Sequence, residues 1–248
     1  MTSSDISQSR ETGTVAPSAF PVNLDGQVVV VTGATGTTGH AVCRELQIHG
    51  AQVIAVGRNI ENLEQLQNKL PKPLLDRYVT DLTDAQRCDS MFKDIAKHHH
   101  GVSAVVHLIG GWRSGGVERY EVSNLTWLFE QLVITTANVT ASVRSLLVSS
   151  SGKFIHVSSP ATKKLTTRNA IYASTKAAAD IWAGSLAAAL EDTQGAVTTF
   201  EVKAFYDNDA VEEAPDLPRE GFTHVDDFAR AVVNLWKKPA RTERVSLQ

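Results

Sequence analysis

Two patterns of apolar residues alternate along the chain from Gln27 onward. Short apolar runs rich in β-branched residues are typical of strands, and the longer segments between them have helical periodicity. The predicted strands are Val28 to Thr32, Gln52 to Val56, Leu75 to Val79, Val102 to Leu108, Lys153 to Val157, Val197 to Val202 and Arg244 to Leu247. The predicted helices are Gly39 to His49, Ile60 to Lys69, Asp84 to His98, Val122 to Leu147, Ala170 to Leu190 and Val225 to Lys237. This order predicts an α/β fold with a doubly wound, parallel seven-stranded sheet, helices on both faces and right-handed crossovers.

Two segments interrupt this alternation. Gly110 to Glu121 contains four glycines and is predicted to be a mobile loop after the fourth strand. Tyr206 to Gly221 is acidic, contains two prolines and follows the sixth strand. Ligands of doubly wound sheets bind beyond the carboxyl ends of the strands, so both segments are candidate walls of a substrate site.

Composition narrows the class of protein. The 248 residues are 42% hydrophobic and 21% charged, which excludes wholesale disorder. The net charge of -3 gives no general attraction to nucleic acid or to an anionic membrane, and no apolar run has membrane-spanning length. The two cysteines argue against a disulfide scaffold or a cysteine metal cage, and they fit a reducing cytoplasm. Residues 1–22 are predicted to be a flexible tail without a signal peptide, and residues 23–248 a single domain.

A glycine-rich turn follows the first predicted strand. Glycines at this spacing allow a tight turn, close approach of the backbone to a phosphate, and close packing of the next helix on the strand. The predicted phosphate-binding residues are Gly33, Thr35, Gly36, Thr37, Thr38 and Gly39. The alternative is that the glycines only permit the turn.

The residue after the second strand bears on which dinucleotide would bind. Dinucleotide folds commonly place an acidic residue there for the adenosine ribose, but this chain has Arg58. A guanidinium can pair with a 2′-phosphate, which favours NADP over NAD, although Arg58 could also be a solvated strand-end arginine. Asp81, after the third strand, is a candidate acceptor for the adenine amino group; the alternative is an Asx turn or a helix cap.

The strongest candidate chemistry is Tyr172 followed four residues later by Lys176 at the start of a long helix. This spacing brings both side chains to one helical face. Phenols have an unperturbed pKa of about 10. A neighbouring ammonium, together with a positive nicotinamide and the helix amino terminus, is predicted to lower the pKa of Tyr172 by roughly 3 units. Ser159 stands at the end of the fifth strand, where its hydroxyl could bind a substrate oxygen. Without a partner such as Ser159, the tyrosine and lysine spacing would predict only a half-buried tyrosine beside a solvated lysine.

Together, the segments TGATGTTG, DLT, FIHVSS and YASTK resemble the short-chain dehydrogenase/reductase family, in order and at family spacing from about Gln27 to the C-terminus. The resemblance implies a Rossmann fold and a nicotinamide cofactor, with Leu82 and Gly110 also at the cofactor. It implies that Tyr172 is the general acid/base, that Lys176 binds the nicotinamide ribose and lowers the tyrosine pKa, and that Ser159 polarises the substrate oxygen. Such enzymes are often homodimers or homotetramers built through long helices. A small-residue helix face here would permit that packing or would pack inside the monomer; it comprises Ala177, Ala178, Ala179, Gly184, Ala187 and Ala188.

The sequence also departs from the family pattern. The family segment Asn-Asn-Ala-Gly is here His107-Leu108-Ile109-Gly110, and the Pro-Gly after the sixth strand is replaced near Lys203-Ala204. The asparagine that completes a proton relay in many members aligns near Ile134 or Thr135. The glycine spacing, with Thr37 at the usual middle-glycine site, matches the extended and atypical branches better. The chain is therefore predicted to be a divergent member.

Several other polar residues have simpler structural interpretations. The histidines His98 to His100 cannot all converge on one metal ion and are predicted to form an exposed helix end, so no metal site is predicted. His107 is predicted to be a satisfied strand-end histidine rather than a relay group. Asp226 and Asp227 are predicted to cap the last helix and to interact with its dipole. Trp112 and Arg113 could contact substrate, plug the surface or face another subunit.

These observations favour an NADP-dependent oxidoreductase that transfers a hydride between the nicotinamide and a carbonyl or secondary alcohol of a small molecule. A cofactor-binding regulator or scaffold of the same fold is the first alternative, because the relay asparagine is missing and the segment at 107–110 is altered. An epimerase or dehydratase that uses bound NAD is the second.

Overall fold

A computed structural model describes residues 22–99 and 101–247 of the chain. The predicted tail therefore lies outside the described residues except for Val22. Seven strands form one sheet in the order β3-β2-β1-β4-β5-β6-β9, and every neighbouring pair is parallel. They are β1 (Val28–Thr32), β2 (Gln52–Gly57), β3 (Asp76–Val79), β4 (Ala104–His107), β5 (Lys153–Ser158), β6 (Ala196–Val202) and β9 (Glu243–Leu247). The predicted doubly wound sheet is confirmed, and each predicted strand is present with small shifts at its ends.

The sheet is buried on both faces because its central strands are apolar at successive positions. In β1, Val29 and Val31 pack into the core on one face of the sheet, whereas Val30 packs into the core on the opposite face. A strand covered on both sides needs a continuous apolar run rather than an alternating one. The sequence VVVVT supplies that run.

The helices that cover the sheet begin and end close to the predicted positions. They are α1 (Thr37–Ile48), α2 (Ile60–Lys69), α3 (Ala85–His98), α4 (Val122–Leu128), α5 (Thr135–Ser150), α6 (Ala170–Ala189) and α8 (Val225–Asn234). The predicted helix from Val122 to Leu147 is interrupted by a π-helical turn, Phe129–Ile134, between α4 and α5. Such turns insert an extra residue and re-aim side chains, and they occur often at functional sites.

The helical stretch Val122–Ser150 is long and apolar enough, by length and composition, to cross a membrane. Its residues Leu128, Val139, Val143 and Leu147 are completely buried inside the described fold. These core positions account for part of the apolar composition of this stretch, and 44% of its most apolar window is buried.

The segment predicted as a loop after β6 contains short regular elements. Phe205–Tyr206 (β7) pairs in parallel with Thr223–His224 (β8), and Asn208–Glu213 forms a short helix, α7. The carboxylate of Asp207 begins α7 by accepting a hydrogen bond from the backbone N–H of Ala210 at 2.8 Å. A cap and a two-residue pair are too short to give a periodic signal in the sequence.

The predicted cap of the last helix needs correction. His224, not Asp226 or Asp227, caps α8, and its Nδ1 accepts from the backbone N–H of Asp226 at 3.2 Å. Both aspartates lie in the first turn, where their charge interacts favourably with the helix dipole as predicted. Asp226 also binds the guanidinium of Arg44 at 2.6 Å and so ties α8 to α1.

Candidate active site

The site lies at the carboxyl edge of the sheet, where the chain reverses its direction of winding between β1 and β4. Doubly wound sheets bind their ligands in the crevice at this point. The glycine turn leaves β1, Gly110 follows β4, and Ser159 follows β5. One cleft at this edge is lined by residues from all of the predicted cofactor segments before β5, namely Gly33, Thr35, Gly36, Arg58, Asp81, Leu82 and Gly110.

Glycine suits each of these three positions of the turn for a different structural reason. Gly33 has a φ of +72°, a left-handed conformation that favours glycine. A Cβ on Gly39 would lie 2.4 Å from the carbonyl oxygen of Gly33, so the start of α1 packs directly against the turn. A Cβ on Gly36 would meet only the Gly33 oxygen, at 3.5 Å, and would otherwise point into open space. Gly36 lines the cleft, so its missing side chain leaves room for a ligand there.

The start of α1 provides donors for an anion. Gly36 is the N-cap of α1, and no described side chain caps this helix. The first backbone N–H groups of a helix lack intrahelical partners and carry a partial positive charge. With Thr37 and Thr38 beside them on a second part of the cleft, these N–H groups fit a phosphate.

Replacing these two glycines should separate folding from binding. Gly39→Ala is expected to lower the free energy of unfolding by at least about 2 kcal/mol, because the new methyl meets backbone atoms that cannot move aside. Gly36→Ala is expected to change that free energy by no more than about 1 kcal/mol but to weaken dinucleotide binding at least about tenfold. Denaturant unfolding and fluorescence titration with NADPH measure the two effects. Equal losses of stability in both variants would contradict this division of roles.

The predicted arginine and aspartate lie in the same part of the cleft. Arg58 is exposed at the end of β2 and lines the cleft together with Asp81. The carboxylate of Asp81 accepts hydrogen bonds from the backbone N–H of Thr83 at 3.0 Å and from its hydroxyl at 2.8 Å. These bonds lower the pKa of Asp81, with a further contribution from the charge of Arg58. Asp81 therefore forms an Asx turn, which was the alternative interpretation of this residue. It also lines the cleft.

Sequence reasoning missed the residue that fixes this segment. The Nδ2 of Asn138, on α5, donates to the carbonyl oxygens of Leu82 at 2.9 Å and Thr83 at 3.1 Å. An isolated asparagine within a predicted helix gives no signal that it reaches a loop about 55 residues earlier in the chain.

The structure brings Ser159 and Tyr172 together one strand further along the same edge. The hydroxyl of Ser159 is close enough to that of Tyr172 to influence the pKa of the phenol, and both side chains are largely buried. The hydroxyl of Ser159 also accepts from the backbone N–H of Ala161 at 3.2 Å, at the start of a 3-10 turn over Pro160–Thr162. This turn holds the serine at the end of β5 while α6 supplies the tyrosine.

Lys176 is one turn further along α6 and is 5% exposed. Its Nζ donates to the backbone carbonyl oxygen of Val157, in β5, at 2.8 Å. Burial lowers the pKa of Lys176 to about 8, and the negative charge of Asp180 opposes this shift. With a pKa of about 8, Lys176 is mostly protonated at neutral pH and is therefore a buried cation.

The predicted direction of the tyrosine shift is wrong for the described chain. Burial raises the pKa of Tyr172; the neighbouring hydroxyl of Ser159 lowers it, and the charge of Asp180 raises it further. The spacing of Tyr172 and Lys176 reveals neither their burial nor the carboxylate one turn away. Tyr172 is therefore protonated at neutral pH, as a proton donor must be, but the raised pKa makes its phenol a weaker acid than a free tyrosine.

His107 is confirmed as a satisfied strand-end histidine. The hydroxyl of Thr136 donates to the carbonyl oxygen of Leu132 at 2.6 Å, so it accepts from Nε2 of His107 at 3.1 Å. Nδ1 of His107 therefore accepts from the hydroxyl of Thr32 at 2.8 Å. Burial, together with the nearby positive charges, lowers the pKa of His107 to about 3, so its imidazole is neutral.

The π-helical turn lies where the family's relay asparagine was expected. Thr135 follows the turn, and its buried hydroxyl donates to the carbonyl oxygen of Gln131. Gln131 and Thr135 both line the cleft with Gly110. Sequence reasoning identified Thr135 by alignment but missed Gln131, which lies four residues earlier and lines the same cleft.

The remaining predicted candidates lie elsewhere. His98 is exposed, His99 is mostly buried and binds Asp76 at 3.3 Å, and His100 lies outside the described residues. Trp112 is exposed, and the Arg113 guanidinium stacks on the ring of Trp127 at 4.1 Å. On α6, Ala179 is buried in the monomer whereas Gly184 and Ala188 are exposed, so both interpretations of the small-residue face remain.

A parallel sheet of this strand order, with an open glycine turn before its first helix, is the architecture of dinucleotide-binding enzymes. The family model for short chain dehydrogenases matches residues 27–206. The chain therefore belongs to the short-chain dehydrogenase/reductase family of oxidoreductases.

Known relatives agree with this assignment. An uncharacterised oxidoreductase of Staphylococcus epidermidis (strain ATCC 12228) is 31% identical over 70% of this chain and 75% of its own length. One from Staphylococcus aureus (strain MW2) is 30% identical over 62% of this chain and 68% of its own length. Among solved structures, a short chain dehydrogenase from Pseudomonas syringae has a TM-score of 0.80 at 21% identity, covering 95% of this chain and 100% of its own. One from Shigella flexneri, complexed with NADP, has a TM-score of 0.79 at 19% identity, covering 92% and 98%.

Proposed function

We propose that this protein is an NADP-dependent oxidoreductase that interconverts a carbonyl group and a secondary alcohol on a small molecule. The observation that carries the proposal is the placement of the hydroxyls of Ser159 and Tyr172 beside each other, with Lys176 one helical turn away and the glycine turn two strands along the same edge. A protein that only bound a dinucleotide would need no paired hydroxyls beside a buried cation.

The residues of the cleft fit a dinucleotide. The open space over Gly36 and the uncapped start of α1 suit the pyrophosphate, and Asp81 lies at the adenosine end. When bound, NADP supplies or accepts the hydride. That a structural neighbour from Shigella flexneri was solved with NADP also supports this choice of cofactor.

The side chains divide the work of reduction between them. The hydroxyl of Ser159 donates a hydrogen bond to the carbonyl oxygen of the substrate, and Tyr172 transfers its proton to that oxygen. Tyr172 is protonated at neutral pH and can therefore donate as negative charge develops on the oxygen. The cation of Lys176 then stabilises the resulting phenolate, and in alcohol oxidation the same groups act in reverse.

Turnover tests this proposal. Purified protein is mixed with NADPH and a panel of aldehydes and ketones, and the loss of absorbance at the nicotinamide band is followed. Reduction of at least one carbonyl class, with NADPH preferred over NADH, is expected. NADPH binding without turnover on any member of a broad panel would instead favour the regulatory alternative.

Arg58 should set the preference between the two dinucleotides. A guanidinium paired with a 2′-phosphate contributes about 1.5–3 kcal/mol, so Arg58→Gln is expected to weaken NADPH binding about 10- to 100-fold and to leave NADH binding unchanged. Arg77→Gln is the matched control, because Arg77 is exposed on neighbouring β3 and is not among the residues lining the cleft. Calorimetric titration measures both affinities. Similar losses for NADPH and NADH in Arg58→Gln would contradict the role of Arg58.

A further inference from the structure

Asp180 lies one turn beyond Lys176 on the same face of α6 and is the acceptor for three donors from two strands. Its carboxylate accepts from Nε2 of His156 at 3.0 Å and from the hydroxyl of Ser158 at 2.7 Å, both in β5. It also accepts from the guanidinium of Arg244, in β9, at 2.7 Å. The Asp180 side chain is 13% exposed. A carboxylate this enclosed is tolerated only when its oxygens are well satisfied.

Ser158, which binds Asp180, lies in the chain between two residues that are close to side chains of the candidate active site. The preceding residue, Val157, supplies the carbonyl oxygen that binds Lys176, and the hydroxyl of the following residue, Ser159, lies near enough to Tyr172 to influence its pKa. Asp180 therefore fixes the middle of a three-residue segment whose two ends meet the catalytic side chains. Its own position is fixed in turn by Arg244, which also binds Glu201 at 2.8 Å.

The charges around Lys176 explain why a carboxylate is needed here. The groups that face the lysine or its carboxylate neighbour are Tyr172 and Asp180 on its own helix, His107 from β4, His156 from β5, Glu201 from β6 and Arg244 from β9. Burial lowers the pKa of both histidines, so they are neutral and do not balance the positive charge of Lys176. Among the described residues, Asp180 carries the negative charge that raises the pKa of Lys176 and so favours the protonated amine.

We propose that Asp180 is a positioning residue of this active site, which holds the end of β5 against α6 and balances the buried charge of Lys176. The inference rests on the proposed function for its effect on turnover. Its effect on folding stability does not depend on that function.

Two serines test the positioning role, because each donates to one carboxylate of the same network. Ser158→Ala removes the bond to Asp180, and the control Ser246→Ala removes the equivalent 3.0 Å bond to Glu201. Ser158→Ala is expected to lower kcat about three- to tenfold with little change in cofactor KM, and Ser246→Ala to leave kcat unchanged. Equal effects of the two variants would overturn the positioning role.

The pH dependence of kcat tests the electrostatic role. Without the carboxylate, Lys176 loses its proton at lower pH, and Tyr172 does the same. Asp180→Asn is therefore expected to move the alkaline limb of the profile down by about one pH unit. Asp180→Glu should restore the limb, and the control Glu201→Gln should not move it. An unmoved limb in Asp180→Asn would overturn this role.

A double-mutant cycle on stability needs no turnover. Lys176→Met is expected to raise the denaturant midpoint more in the Asp180→Asn background than in the natural chain, because the lysine is then a buried cation without its counter-charge. Additive midpoints would refute the coupling even if turnover supports the proposed function. An absence of turnover together with clear coupling would refute the function and leave the coupling intact. If Asp180→Asn fails to fold, the comparison of Ser158→Ala with Ser246→Ala still tests the positioning role.

Discussion

Tyr172→Phe is expected to lower kcat by about a thousandfold while changing the dissociation constant of NADPH less than about threefold. The substitution removes only the hydroxyl, which is the proposed proton donor and lies near Ser159. A positioned general acid contributes about 10²- to 10⁴-fold to the rate, whereas the aromatic ring is retained. Steady-state kinetics on the carbonyl found in the panel, with fluorescence titration of NADPH, measures both quantities.

Tyr78→Phe is the matched control for this experiment. The hydroxyl of Tyr78 also donates a hydrogen bond, to Asp94 at 2.8 Å, and lies outside the cleft. Its loss should affect stability by about 1 kcal/mol and leave kcat unchanged. Turnover in Tyr172→Phe within tenfold of the natural chain would contradict the assignment of Tyr172 as the proton donor.

Lys176→Met should affect activity and stability in opposite directions. Turnover is expected to fall at least about a hundredfold, because the phenolate of Tyr172 loses its stabilising cation. The free energy of unfolding at pH 7 is expected to rise by roughly 1–3 kcal/mol, since an apolar side chain of similar length replaces a buried cation. Kinetics and urea unfolding measure the two changes. Lys153→Met is the control, because that partly buried lysine stacks on Trp236 away from the site.

The gain in stability should depend on pH with a definite sign. Lys176 has a pKa of about 8 in the folded chain, against about 10.4 for an unperturbed lysine. Between these values the unfolded chain binds more protons, so the contribution of Lys176 to the free energy of unfolding rises with pH. The advantage of Lys176→Met should therefore be largest near pH 7 and shrink by on the order of 2 kcal/mol by about pH 9.5. An advantage that stays constant over this range would show that the lysine is not perturbed.

Features encoded in adjacent residues could be predicted from the sequence. The valine run of β1 predicts a strand buried on both faces, and the spacing of Gly33, Gly36 and Gly39 predicts the turn that the structure shows. The relation between Ser159 and Tyr172 could be predicted because it follows from strand and helix order together with a known family pattern.

Features that depend on distant parts of the chain could not be predicted. Asp180 meets Arg244, which is 64 residues later, and Asn138 reaches Thr83, which is 55 residues earlier. The raised pKa of Tyr172 follows from burial, which the spacing of Tyr172 and Lys176 does not encode. The π-helical turn leaves the apolar pattern of the surrounding helix almost unchanged, so Gln131 gave no signal.

Hydrogen-isotope transfer tests the central claim most directly. NADPH carrying deuterium at the transferable position is supplied with a carbonyl substrate, and the alcohol is analysed by mass spectrometry and NMR. The proposed function predicts one deuterium on the carbinol carbon and a solvent-derived hydrogen on the oxygen. A carbinol hydrogen derived from solvent, or a product that is not an alcohol, would contradict it.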